Sequence, residues 1–538
     1  MAKYYLTTPL YYVNAKPHIG HSYTNIAADT LARFQRLIGK EVFFLTGTDE
    51  HGQKIDKAAK EAGLSPRDFT DKISLTFKEL WKTLNISYDD FIRTTEPRHI
   101  AAVQAVWRKL LETEKIYKAA YSGWYCTPDE TFWTEGQILD ENGRKLCPDC
   151  RRPVERLEEE NYFLKLSGHQ DWLIRTIREA KEISIFPETR RNEVLGFLEN
   201  NALQDLCISR PKNRLSWGIP LPPEISAEHV TYVWFDALVN YISAVGFGAD
   251  PKKLEKWWPA NVHIIGKDIL RHHAVYWTIL LKALDLSLPK MIFAHGWWVE
   301  GGEKMSKSRG NVVDPVEIVK TYGVDAYRYF LLRETPFGAD GTFSEEALIL
   351  RFNTDLANDL GNLLNRSLAM YEKYFPGYDT SFLYEGINIE DVWKDPTRVF
   401  TNPLTHPYQA LKVAVNSLPS RLKPLMESLA FSDALMEIWI LISQANKFVE
   451  ETAPWKLSKE GRTKELGLVI GCLLEVLKIV SQATWPFMPA TGEAIWVQLG
   501  LSGKPCDFPF KENMWGFFEK GGKIAKAAPL FPRIEVKK

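Results

Sequence analysis

The order strand, helix, strand within the first 46 residues constrains this chain more than any other feature. Residues 3–8 read as a strand, residues 19–38 as an amphipathic helix stopped by Gly39, and residues 41–46 as a second, buried strand. Such a run closes as a right-handed βαβ unit, with its two strands parallel in one sheet. The same alternation is expected again far downstream. Thr231–Phe235 and Val262–Ile265 read as strands, Leu270–Leu284 as a helix and Met291–Ala294 as a strand. Between the two halves lie about 110 residues with a cysteine cluster, Pro/Gly turns and mixed strands. The economical reading is one doubly wound α/β, Rossmann-like parallel sheet interrupted by an inserted domain. From about residue 345 the strand signals fade, and helical periodicity covers 345–374, 430–451 and 464–484, with a proline-interrupted stretch at 376–424.

Composition narrows the function classes. The 538 residues carry 67 basic and 68 acidic side chains, a formal charge of −1, which argues against coating nucleic acid by bulk charge but leaves room for a local basic face. No uncharged apolar run reaches the ~18–20 residues of a membrane span. The most apolar candidate, Leu466 to Leu474, is closed by Glu465 and Glu475. The chain enters its first strand with no signal peptide ahead of it, so a soluble, cytoplasmic protein with no membrane partner is expected. Six cysteines in a chain of this length do not make a disulfide framework.

Two loops carry chemistry. Between the first strand and helix sits Asn14-Ala-Lys-Pro-His18-Ile-Gly20-His21. Ligands of open α/β sheets bind there, because helix N-termini offer N–H groups and positive dipole to anions. Gly20 lets a purine or phosphate approach the backbone, and two imidazoles can donate to a polyphosphate as its charge shifts. A His pair that merely caps the helix, or half a metal site, has the same spacing. The second loop, Gly301-Gly-Glu-Lys304-Met-Ser-Lys307-Ser308-Arg-Gly310, sets three cations between glycines. It reads as a mobile clamp for a polyphosphate, or, taken alone, as a solvated basic turn.

His18-Ile-Gly-His21 and Lys304-Met-Ser-Lys-Ser308 resemble the two nucleotide motifs of class I aminoacyl-tRNA synthetases. Further segments are similar to the methionyl-tRNA synthetase family: Pro9-Leu-Tyr-Tyr-Val-Asn14, Gly47-Thr-Asp-Glu-His-Gly52, Tyr232-Val-Trp-Phe-Asp-Ala237, Gly266-Lys-Asp268 and Ala453-Pro-Trp455. The resemblance implies a methionine–tRNA ligase that uses ATP with Mg²⁺, L-methionine and tRNA(Met). It implies catalytic roles for His18, His21, Lys304 and Lys307, with Gly20, Asp268 and Ser308 also at ATP, and Arg210 as charge partner of Asp268. The methionine slot would be Pro9, Leu10, Tyr12, Trp234, Ala237, Leu238, Tyr241, Ile269, His273 and Trp277, with Asp49 for the ammonium. Trp234, Ala237 and Tyr241 share one helical face by spacing, as do His273 and Trp277. Asn362, Arg366 and Trp455 would meet the anticodon by amide, guanidinium and stacking contacts.

The domains expected are 1–115 and 229–320 for the two halves of the catalytic sheet, and 116–228 for an inserted zinc-knuckle-type domain. A linking, stem-contact segment at 321–350 and an α-helical anticodon-binding domain at 351–538 complete the chain. Cys126, Asp129, Cys147 and Cys150 have knuckle spacing with Asp in place of a fourth Cys, which suits one closed structural Zn²⁺; three reduced cysteines in a turn are the alternative. The leucine, isoleucine and valine enzymes carry a large editing insertion for which this length has no room, and the cysteine enzyme uses an early Cys, whereas here the first is Cys126. A non-catalytic tRNA-binding paralogue would be expected to degrade one nucleotide motif, and both are intact. The sequence stops soon after Pro529–Glu535, leaving no dimerising tRNA-binding module, so a monomer is expected.

Overall fold

The computed structural model describes residues 2–126, 131–133, 135–141, 143–300, 303–304, 313–377, 380, 407–516 and 522–535. Strand β1 (Lys3–Tyr12), helix α1 (Ile19–Leu37) and strand β2 (Glu41–Asp49) form the first βαβ unit. Helix α2 (Gln53–Glu61) follows, and later strand β3 (Asp90–Arg93). These strands belong to a six-stranded sheet in the order β3, β2, β1, Val262–Gly266, Met291–His295, Ser184–Phe186, every neighbour parallel. β1 therefore lies between strands from the two ends of the domain. At that switch in strand order the carboxyl ends diverge and leave a crevice.

Two expectations are corrected here. Thr231–Phe235 is not a strand: His229–Thr231 pairs antiparallel with Ser209–Pro211, and a helix already begins at Val233 and runs to Ser243. The apolar residues Val233, Phe235 and Val239 are buried by helical packing rather than by a sheet, a distinction that a short apolar run does not carry. The sheet's sixth strand, Ser184–Phe186, comes from the segment between the two halves, beside Met291–Phe293. That segment also forms a separate antiparallel sheet, in which Ile116–Cys126 pairs with Glu155–Leu164.

From Glu345 to Gln498 the described chain is mostly helical, and past it only the short turn Pro505–Asp507 is. Asn362–Tyr374, Phe431–Thr452 and Thr463–Thr484 match the expected helices, and a further helix, Pro407–Glu427, contains Pro419 and Pro424. The proline-interrupted stretch is thus partly regular: 381–406 lies outside the described residues, and 407–427 is helix. Each internal proline removes one intrahelical hydrogen bond. Against that cost, Leu411, Val415, Leu418, Leu422 and Met426 repeat along one face and are buried. Thr463–Thr484 is long and apolar enough to cross a bilayer, contrary to the reading of its charges, but its whole apolar window is buried inside the helical region. A core helix needs no membrane.

One hydrophobic core runs from α1 and β2 through Val324–Arg333 into these helices. At its centre the fully buried Arg328 donates to Asp29 Oδ2 (2.6 Å), Phe487 O (2.7 Å), Pro486 O (3.0 Å) and Leu84 O (3.1 Å). Asp29 also takes Arg33 on Oδ2 (2.8 Å) and the Ser87 N–H and hydroxyl on Oδ1 (2.7 and 2.6 Å). α1, which follows the loop carrying His18, is bolted to the helical region by a fully partnered charge cluster.

Candidate active site

The crevice at the carboxyl ends of β1, β2, Val262–Gly266 and Met291–His295 is a cavity of about 380 Å³. Its floor is set by β1. The pairing of β1 with β2 slips between Thr7 and Leu10, and Pro9, with no N–H, sits in the slip. Past it, Tyr12 faces Asp49 across the ladder, and Pro9, Leu10, Tyr12 and Asp49 all line the cavity. Trp234, Ala237, Leu238 and Tyr241 line it from the helix Val233–Ser243, and Ile269 and His273 from the segment after Val262–Gly266. His272–Trp277 winds as a π-helix, an irregularity common beside binding sites, and continues as an α-helix through Ala283.

Hydrogen bonds fix the rings of this slot. The carbonyl of Ile269 can only accept, so His273 Nδ1 carries the proton (2.9 Å) and Nε2 accepts from the Tyr241 hydroxyl (2.7 Å). Burial pushes the His273 imidazole down to about 4, so the ring is neutral and the slot carries no cation there. Trp277 is not among the lining residues. It lies behind the slot with its ring 5.6 Å from Tyr241, donating to His263 Nε2 (3.2 Å). Trp234 stacks on His272 at 4.0 Å. The helix bearing Trp234 is tied to the turn after β2 and to the helix Pro97–Glu112 through Asp236, which accepts from His51 Nδ1 and His99 Nε2, both at 2.7 Å. Burial pushes the Asp236 carboxyl up, but these two imidazoles outweigh it and hold it below the usual range.

His18, Gly20 and His21 line the other end of the cavity, at the start of α1. The Gly20 N–H donates to His18 Nδ1, and the His18 N–H to His21 Nδ1, both at 3.1 Å. These bonds cap the helix and keep both Nδ1 atoms as acceptors, so each ring carries its hydrogen on Nε2. The capping reading therefore holds, with both rings in the lining of the cavity. A Cβ on Gly20 would meet His18 Cε1 at 3.0 Å, so the glycine makes room for the folded-back His18 ring. Asp268 lines the cavity and accepts from Trp297 Nε1 at 3.3 Å.

The expected pairing of Asp268 with Arg210 is not present. Arg210 is buried elsewhere, donating to Ser209 O (2.7 Å) and Cys207 Sγ (3.2 Å), with its guanidinium 4.4 Å from the Tyr232 ring. The Tyr125 ring also lies 5.5 Å from this guanidinium, so two aromatic faces stand beside the charge. In the second loop, Lys304 is described only in its backbone, which pairs with Val299 in a hairpin just beyond the cavity-lining Trp297. Lys307 and Ser308 lie outside the described residues.

Several lining residues were not anticipated: Asn14, Thr24, Lys54, Asn240, His295 and Trp297. His295 ends a parallel strand and Trp297 follows it, so strand-end position was the available signal. Trp297 is held on three sides. Its backbone N–H donates to Asp340 (2.8 Å), Lys267 sits 4.2 Å over its ring while pairing with Asp340, and its indole N–H meets Asp268.

Away from the cavity, the Sγ atoms of Cys126, Cys147 and Cys150 lie within 4.8 Å of one another. Cys126 and Cys150 approach to 3.5 Å, which is unbonded sulfur and close to the ~3.8 Å edge of a tetrahedron of Zn–S bonds. Among the described residues, Cys126, Trp133 and Cys147 form the buried core there, with Trp124, Ile138, Cys150 and Val154 packed against it, a small core for an independent sheet. Asp129 lies outside the described residues. In the helical region Asn362 is exposed at the start of its helix, Arg366 pairs with Glu450 at 2.7 Å, and Trp455 is 38% exposed after the left-handed Ala453.

The sequence pattern described as tRNA synthetases class I (M) matches residues 4–368. The methionine–tRNA ligase of Caldanaerobacter subterraneus subsp. tengcongensis is 49% identical over 538 residues, covering 99% of this chain and 79% of that one. That of Clostridium tetani is 48% identical over 537 residues, covering 99% and 79%. Among solved structures, Mycobacterium tuberculosis methionyl-tRNA synthetase in complex with methionyl-adenylate superposes with a TM-score of 0.89 at 38% identity, covering 99% of this chain and 100% of that one.

Proposed function

This chain belongs to the methionyl-tRNA synthetases and is a class I methionine–tRNA ligase, and from that premise we propose how its own residues divide the work. The observation that carries the assignment is a single cavity lined at once by the aromatic slot and by His18, Gly20, His21 and Asp268. Methionine enters the slot with its thioether against Leu10, Tyr12, Trp234, Tyr241 and Ile269. Sulfur–ring contacts there contribute ~0.3–1.5 kcal/mol each. Asp49 accepts the ammonium, and the ligand's charge compensates that of a carboxylate only 5% exposed.

ATP lies along the start of α1. The Nε2–H groups of His18 and His21 donate to polyphosphate oxygens as charge builds on them, and Asp268 receives the ribose or adenylate. Lys304, Lys307 and Ser308 close over the β- and γ-phosphates. The methionine carboxylate attacks the α-phosphorus, pyrophosphate leaves, and the terminal ribose hydroxyl of tRNA then attacks the activated carbonyl, losing its proton and displacing AMP. Positioning and charge stabilisation supply the acceleration, so no protein nucleophile is required. Cys126, Cys147 and Cys150, with Asp129, hold one structural Zn²⁺; the thiol spacing and the small local core support this. Trp455, Asn362 and Arg366 read the anticodon, supported by the exposure of the Trp455 ring and the tie of Arg366 to the helix that ends just before it.

A structure with bound methionyl-adenylate tests this division. The thioether is expected between Trp234 and Tyr241 with the adenosine beside His18 and Gly20; the reverse orientation would refute it.

A further inference from the structure

We propose that Lys54 receives the methionine carboxylate and faces the α-phosphate as the two become joined. The inference deepens the reading of the pocket given above and rests on it. Among the described residues lining the cavity, Lys54 is the one lysine or arginine, set against the carboxylates of Asp49 and Asp268. Of the lining histidines, His273 and His295 are held below the usual imidazole range by burial and add no charge. Activation brings two anions, a carboxylate and a triphosphate, into contact within this space.

Lys54 is placed for that encounter. Its Nζ lies 5.4 Å from the centre of the Tyr12 ring, and Tyr12 is the residue opposite Asp49 in the β1–β2 ladder. A carboxylate from the strand opposite Tyr12 and an ammonium over its ring thus share one cavity, matching the ammonium and carboxylate of an amino-acid zwitterion. Lys57 and Lys60 of α2 are exposed and do not line the cavity.

The segment carrying Lys54 is held in place. Glu50 takes Arg93 on both oxygens (2.6 and 2.9 Å), the Gly52 N–H donates to Trp217 O (3.1 Å), and Trp217 Nε1 donates to Glu50 O (2.5 Å). Gly52, at φ 107°, turns the chain so that α2 starts immediately beyond. In the step itself a carboxylate oxygen bonds to the α-phosphorus while the bond from that phosphorus to the bridging oxygen of pyrophosphate breaks. Pyrophosphate leaves with the electron pair, and no proton moves. An ammonium between the two reactants lowers their repulsion before the bond forms and remains beside the α-phosphate afterwards.

The test is equilibrium binding of L-methionine and of L-methioninol, which keeps the thioether and ammonium but replaces the carboxylate with a hydroxyl. Wild type, Lys54→Gln and Lys54→Arg are compared in the full chain by tryptophan fluorescence. A charge-assisted hydrogen bond predicts that Lys54→Gln weakens methionine at least ~10-fold, leaves methioninol within about twofold, and that Lys54→Arg restores most of the loss. Equal weakening of both ligands, or unchanged methionine binding in Lys54→Gln, would overturn the role of Lys54. A wild-type protein that binds neither ligand would overturn the pocket reading beneath it.

Discussion

At the scale of residues, the site is a set of donors and acceptors whose protons are assigned by their neighbours. His18 and His21 hold their hydrogens on Nε2 because backbone N–H groups occupy Nδ1, and His273 holds its on Nδ1 because a carbonyl faces it. In the proposed division of work the lysines of the second loop supply positive charge to the polyphosphate. Lys307→Ala should therefore cut adenylate formation at least ~100-fold, as the loss of a transition-state electrostatic contact does, with methionine binding kept. Unchanged ATP–pyrophosphate exchange in that variant would remove Lys307 from the chemistry. The site residues legible in the sequence were those in contiguous motifs or at helical spacing, such as His18, His21, Trp234 and Tyr241. Lys54, His295 and Trp297 were not, because each stands alone in its segment and becomes part of a site only when separate strands end together. Trp277 was drawn forward by its spacing from His273, and the π-helical winding between them sets it behind the wall instead.

Elements show where periodicity suffices and where it does not. β1, α1 and β2 followed from alternation and from Gly39, and only their ends moved, β1 extending to Tyr12. Pro407–Glu427 was hidden because proline reads as a stop, although its apolar residues already repeat at helical spacing. The helices behind the expected anticodon face brace one another. Asn446 and Trp439 of Phe431–Thr452 donate to the Asp359 and Asp355 carbonyls (both 3.3 Å) in the π-helical turn that leads into Asn362. Trp455 sits just past the end of this brace, in a short helix begun by Ala453-Pro454. Trp455→Ala should leave methionine activation intact while lowering tRNA aminoacylation by at least ~5-fold, the loss of one stacked base. An equal fall in both activities would mean that the ring serves only packing.

The whole molecule is joined through Asp29 and Arg328, a contact that spans 299 positions and that no local pattern announces. Burial pushes the Asp29 carboxyl up, but Arg33, Arg328 and Ser87 outweigh it and hold it at about 2, against 3.8 in the unfolded chain. The stabilisation is complete above the unfolded value and is lost as pH falls towards the folded one. It amounts to about 2 kcal/mol between pH 5 and pH 2. In Asp29→Asn, Arg328 lacks its counter-charge, so the variant should be less stable at pH 7 by ~3–5 kcal/mol. The gap from wild type should narrow on acidification, as read from urea unfolding at each pH; a gap that stays constant would contradict the coupling. The same joint sets the His18–His21 end of α1 at a fixed place relative to the helical region. The most direct measurement is ATP–pyrophosphate exchange run separately with each of the twenty amino acids. Methionine alone is expected to support rapid exchange; rapid exchange with a different amino acid, or none with methionine, would contradict a cavity built for a thioether beside a triphosphate.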